Sequence, residues 1–184
     1  AVFIGSGTST SGNSGKISIV VGSTVSGQGG DVLIAAGYSA SFTSGAVTIV
    51  SGDAGDAKDS GPVTMASGSS ASGATGLLLL STGVSAGDTG SMYLVTGSSS
   101  AATTGDIFIE AGSASLTSGL VRISSGISAT TSGTMAFLTG DASDATGLIA
   151  ISTGSSSAGD SGDILIGTGT ASGQAGSVSI TIGS

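Results

Sequence analysis

The 184-residue sequence predicts an all-β chain, a thin β-solenoid of about 12–13 coils with 14–15 residues per coil, stacked parallel and in register. Three observations predict it: an unbroken repeat of that length, a period-2 alternation of large apolar residues at the start of every repeat, and glycine at two fixed positions in each.

The repeats are 1-15, 16-30, 31-45, 46-61, 62-76, 77-90, 91-105, 106-119, 120-133, 134-147, 148-162, 163-176 and the partial 177-184, read as a single continuous repeat domain over 1-184. Each begins x-Φ-x-Φ-x-x-Gly, continues through small residues, and closes on glycine. The second position holds Val2, Ile17, Val32, Val47, Ile107 and Ile164 among its members; the fourth holds Ile4, Ile19, Ile34, Ile49, Ile109 and Ile166. Every member of both columns is a large apolar residue. In an extended chain, alternate side chains share a face, so these columns are the predicted core. A unit this short cannot be a βαβ crossover, a propeller blade or a helical hairpin, whose repeats run about 30–50 residues. What remains is one coil of a solenoid, paired to the next at about 4.8 Å.

The seventh position is glycine in all thirteen units and the closing position in all twelve full ones, beginning with Gly7, Gly15, Gly22, Gly30, Gly37 and Gly45. A short coil must turn sharply at least twice, and glycine adopts the positive φ of tight turns without steric cost. The ninth position is always Ser, Thr or Ala, from Ser9 to Ala171, which predicts a small-residue wall facing the two aliphatic columns.

Composition sets the outer bounds. Ser, Gly, Ala and Thr number 39, 35, 23 and 22, about 65% of the chain, a bias that ordinarily marks a linker or a disordered tract. A hydrophobic content of 38% and a mean hydropathy of +0.50 oppose that reading. Cys and His are absent, which excludes disulfides, the usual zinc and haem ligand sets, and Cys or His nucleophiles and bases. The chain therefore reads as a non-enzyme without a cofactor. A net charge of -8 with three basic residues argues against nucleic acid as a partner. No membrane span is expected, because the longest apolar run is the tetrad Leu77 to Leu80. Neither end carries a polar cap on the repeat, which predicts either a segment of a longer array or head-to-tail stacking of copies.

Few residues invite specific chemistry. Gly15-Lys16 is followed by Ile17, so no phosphate-binding loop is spelled. Asp53, Asp56 and Asp59 around Lys58 could clip a calcium ion, but in the single 16-residue unit they read better as an enlarged solvated turn that Pro62 helps to close. Asp144 and Asp160 belong to adjacent coils, as a glycosidase pair would, yet a Ser/Ala turn offers no sugar cleft. The outward third column is more informative, since it includes Phe3, Leu33, Leu79, Tyr93, Phe108 and Leu165. Leu77, Leu79, Tyr93, Val95 and Phe108 are the predicted lateral interface, an outward apolar ridge suited to a copy of the same chain. The competing reading is that they shield a narrow sheet. The 61 Ser and Thr hydroxyls are candidate acceptors for covalent O-glycans, whereas Asn13, followed by Ser14-Gly15, is not an N-glycosylation acceptor.

With these inward pairs and Gly/Ser/Thr turns, the whole chain resembles the Gly/Ser/Thr-rich short-coil repeats of secreted surface and fibre proteins of aquatic microorganisms. It resembles more distantly the compact β-solenoids of antifreeze proteins. The first resemblance implies a structural protein, extracellular or at the cell surface, that forms a fibre or filament by coil stacking and lateral packing, with itself as partner. The second implies an ice-binding face of outward threonine pairs. Here the outward third and fifth positions hold only Thr48, Thr64 and Thr181, and the sixth-position Thr82, Thr96, Thr139, Thr153 and Thr168 have inward parity. An adhesive or carbohydrate-binding stalk is a third reading.

Overall fold

The structure, a computed structural model, describes residues 1–55 and 58–183. It divides into two compact units, Ala1–Met92 and Tyr93–Ser184, and the same local pattern runs through each.

Each repeat opens with an extended run whose side chains alternate in exposure. From Ile17 onward the second-position residues are 41–60% exposed, while the large apolar residues of the third position are 72–98% exposed. The even positions thus lie on the sheltered side of the run and the odd ones on the open side, as the backbone's two-residue period requires. The chain then bends, at 10–12, 25–27, 40–42, 71–73, 86–87, 100–102, 115–116, 129–130, 143–144, 157–159 and 172–173, one bend in each full repeat other than 46-61.

Serine holds many of these bends. The hydroxyls of Ser39, Ser70, Ser99 and Ser156 accept the backbone N–H three residues on, at 2.9–3.1 Å, and those of Ser85 and Ser128 accept the N–H two residues on. Ser9 instead donates to the carbonyl of Ser11 at 2.9 Å. All seven serines of the ninth column are therefore turn residues, which corrects their expected role as a wall opposite the aliphatic columns. A short hydroxyl side chain reaches its own backbone and competes with regular pairing.

After the bend the chain returns to its own start. In every full repeat the closing glycine lies against the sixth-position side chain: a Cβ on Gly15 would sit 3.0 Å from Ser6 Cβ, on Gly30 2.8 Å from Val21 Cγ1, on Gly45 3.2 Å from Ala36 Cβ. The same approach recurs to Gly176, opposite Thr168. In the first repeat Ser6 Oγ also donates to the carbonyl of Gly15 at 2.8 Å, and in the third the Gly45 N–H donates to the carbonyl of Gly37 at 2.9 Å. At Gly15, Gly30 and Gly45 the glycine answers to want of room and not to left-handedness, whereas at the other nine closing positions a Cβ would meet the sixth side chain at an ordinary 3.4–4.0 Å. Positive φ occurs at Gly7, and at Gly12 and Gly27 in the first two bends.

The predicted all-β solenoid is not formed. Among the described residues there is neither helix nor strand, and the backbone–backbone hydrogen bonds are two, Gly45 to Gly37 and Lys58 to Gly55. Cα atoms within 8 Å of one another overwhelmingly belong to residues fewer than 12 positions apart, so equivalent residues of successive repeats are seldom neighbours. In-register stacking would bring them to about 4.8 Å throughout. The physical reason is that alternation records which side of its own run a residue takes, whereas a sheet needs a second run alongside. Stacking here would cover two large side chains per repeat and would have to freeze 14–15 residues rich in glycine, the residue that loses most freedom on ordering.

No core is formed either. None of the described residues is buried, and only Ser39 and Ser51 are half-buried. The twelve predicted core residues, Val2, Ile4, Ile17, Ile19, Val32, Ile34, Val47, Ile49, Ile107, Ile109, Ile164 and Ile166, are all exposed.

The two glycine columns should respond differently to substitution. Gly15→Ala and Gly30→Ala crowd Ser6 and the stiff Val21 and should cost about 1–3 kcal/mol of local order. Gly22→Ala, where an added Cβ meets nothing within 4 Å, should cost under about 1 kcal/mol. Methyl and amide chemical shifts of Ser6 and Val21 report the difference.

Candidate functional site

The extended runs place the five predicted ridge residues, but the stacked coils that would join them into one ridge are not formed. Leu77, Leu79, Tyr93, Val95 and Phe108 occupy first, third or fifth positions, which face away from the sheltered side, and all five are exposed. Leu77 and Leu79, two residues apart on one run, lie in Ala1–Met92; Tyr93, Val95 and Phe108 lie in Tyr93–Ser184. Other residues of the same parity, Phe3 and Leu33 in the first unit and Leu165 in the second, are exposed as well.

The bends add a set that the repeat pattern did not single out. Val25, Tyr38, Phe42, Val84, Leu116 and Ile127 stand on or beside them, exposed almost as fully as in an isolated residue. A signal was present: large apolar residues among Gly, Ser and Ala, at positions where the repeat does not require them.

The polar candidates do not gather. Asp53, Lys58 and Asp59 are exposed, and the Lys58 N–H donates to the carbonyl of Gly55 at 3.3 Å; Asp56 lies outside the described residues. Asp144 and Asp160 are exposed on separate repeats. Among the described residues no three carboxylates come together as a metal site would need, no concave pocket is present, and no helix is long and apolar enough to cross a membrane. The sixth-position threonines turn a methyl toward the closing glycine: Cγ2 of Thr82, Thr96, Thr139, Thr153 and Thr168 lies 3.4–3.9 Å from the Cβ that Gly90, Gly105, Gly147, Gly162 and Gly176 lack. These side chains serve the closure of the repeat.

No family model, no curated protein and no solved structure matches the chain.

What this arrangement offers chemically is surface. It presents apolar side chains on both faces of the extended runs and at the bends, and hydroxyls whose bonds, where they form, run to the chain's own turns. The turn bonds can be tested singly. Ser70→Ala and Ser156→Ala each remove an acceptor worth about 0.5–1.5 kcal/mol. Exchange of the Gly73 and Gly159 amides should then quicken about two- to tenfold by NMR, while Thr at either position retains the slower rate.

Proposed function

We propose that the protein is a structural, self-associating component of a fibre or filament, extracellular or at a cell surface, and that it acts by presenting surface to its own copies. One observation carries this reading. All 47 Val, Ile, Leu, Met, Phe and Tyr residues are exposed, and the accessible surface is 18153 Å². A compact monomer of 16.9 kDa would expose about 7,700 Å² and the fully unfolded chain about 24,500 Å². The surplus over a compact monomer, about 10,000 Å², is several times what a large obligate interface covers.

Apolar surface on that scale associates in water. A repeat shows the same face at every unit, so association need not stop at a pair. Lateral packing of copies is the contact favoured in this reading, through Leu77 and Leu79 in the one unit and, separately, through Tyr93, Val95 and Phe108 in the other. The extracellular setting rests on the resemblance to secreted Gly/Ser/Thr-rich repeats, whose surface hydroxyls would also accept O-linked sugars.

Analytical ultracentrifugation with negative-stain imaging tests it. The chain should assemble above a critical concentration, and discrete monomers at millimolar concentration would overturn the reading. Leu79→Asp and Tyr93→Asp each remove a contact worth about 1.5–3 kcal/mol and should raise that concentration about ten- to a hundredfold. The net charge of -8 opposes association. Raising salt from 0.01 to 0.15 M shortens the screening length from about 30 to about 8 Å and should lower the critical concentration. Lowering pH toward the isoelectric point of about 4.1, where the net charge vanishes, should act in the same direction.

A further inference from the structure

We infer that the second- and fourth-position residues of the repeats form a docking surface for the extended runs of a second copy of the chain. The inference rests on the fibre reading and specifies the face by which copies meet.

The outward ridge is too small to account for the surplus area. Its five side chains, at about 200 Å² each, cover about 1,000 Å². The second and fourth columns run through both compact units and consist entirely of large apolar residues, without a charge at any repeat. From Ile17 to Ile166 the fourth position is 59–73% exposed and the second less so, which is the profile of a partly recessed face awaiting cover.

The backbone beside these columns is equally uncommitted. Neither of the two backbone–backbone hydrogen bonds among the described residues involves the first six positions of a repeat. An extended run with free N–H and C=O groups is an edge that another extended run can pair with, its alternate side chains seating against the apolar face.

The spacing selects the occupant. A partner that engages one run after another must carry apolar residues at alternate positions and must repeat them every 14–15 residues, or it loses register after one repeat. The chain itself meets that demand along its whole length.

Hydrogen exchange on the full chain, measured across concentrations spanning assembly, tests the inference, with residues 107–110 as reporters. Their amides should be unprotected in dilute monomer and at least a hundredfold protected in the assembly. Because the chain has no cysteine, Ile109→Cys and, at a bend, Leu116→Cys give single labelling sites. Pyrene at position 109 should form excimers on assembly, lost on mixing with excess unlabelled chain, and pyrene at 116 should form far fewer. Protection in the monomer at every concentration would mean that the chain covers its own columns and would overturn the inference. So would an assembly in which 107–110 stay unprotected, although the fibre reading would survive. Failure of the unsubstituted chain to assemble would remove the fibre reading itself.

Discussion

The order of this molecule depends on one short-range approach, that of the last glycine of each repeat to the side chain at the sixth position. The approach crowds a Cβ at Gly15, Gly30 and Gly45 and brings the other nine closing glycines to 3.4–4.0 Å, ordinary contact for a Cβ, of a sixth residue that is Ser, Thr or Ala in eleven of the twelve full repeats. Val21 is the exception and makes the tightest contact, 2.8 Å from where a Cβ of Gly30 would lie. Between the two ends of that approach the chain must reverse within a few residues, and in six repeats a ninth-position serine hydroxyl holds the reversal by accepting a backbone N–H. Glycine and serine thus serve closure for different reasons, the one by taking little room and the other by bonding the backbone.

Closure of this kind uses backbone and small side chains and leaves the large ones out. The aliphatic residues are placed by the extended runs but covered by nothing within the described chain, so side-chain direction is specified while burial is not. An ordinary domain obtains both together from a core. Here the large apolar side chains are left as an uncovered face, open to contact.

Local direction was legible in the sequence and pairing was not. The alternation of Ile17 and Ile19 with their neighbours correctly separates a sheltered side from an open one, because that separation is a property of one extended strand of chain. Nothing in those residues says whether a second run lies alongside, and the expectation of stacked coils went beyond what alternation encodes. The glycine columns were legible as positions and their reason only in part: Gly7 has the expected positive φ, whereas Gly15, Gly30 and Gly45 answer to crowding, and left-handed backbone appears also at Gly12 and Gly27 in the bends. Ser39, Ser70 and Ser156 were misread as wall because a hydroxyl at a bend and a small side chain facing a core are spelled alike. Leu79, Tyr93 and Phe108 stood out against the outward face, whereas Tyr38 and Phe42 were passed over because the turn was read for its small residues alone.

The closing approach spans eight residues in the 14-residue repeats, as from Thr82 to Gly90, nine in the 15-residue repeats, as from Ser6 to Gly15, and ten in the single longer one, from Ser51 to Gly61. The six residues that open each repeat never vary in number, so every difference in length is taken up in the bend and cancelled before the next repeat begins. Lengthening such a bend by a residue or two costs only a few tenths of a kcal/mol in closure entropy. Chain length and local geometry are thereby uncoupled: repeats can be gained or lost one at a time by duplication or deletion of a gene segment, without redesigning any of the others.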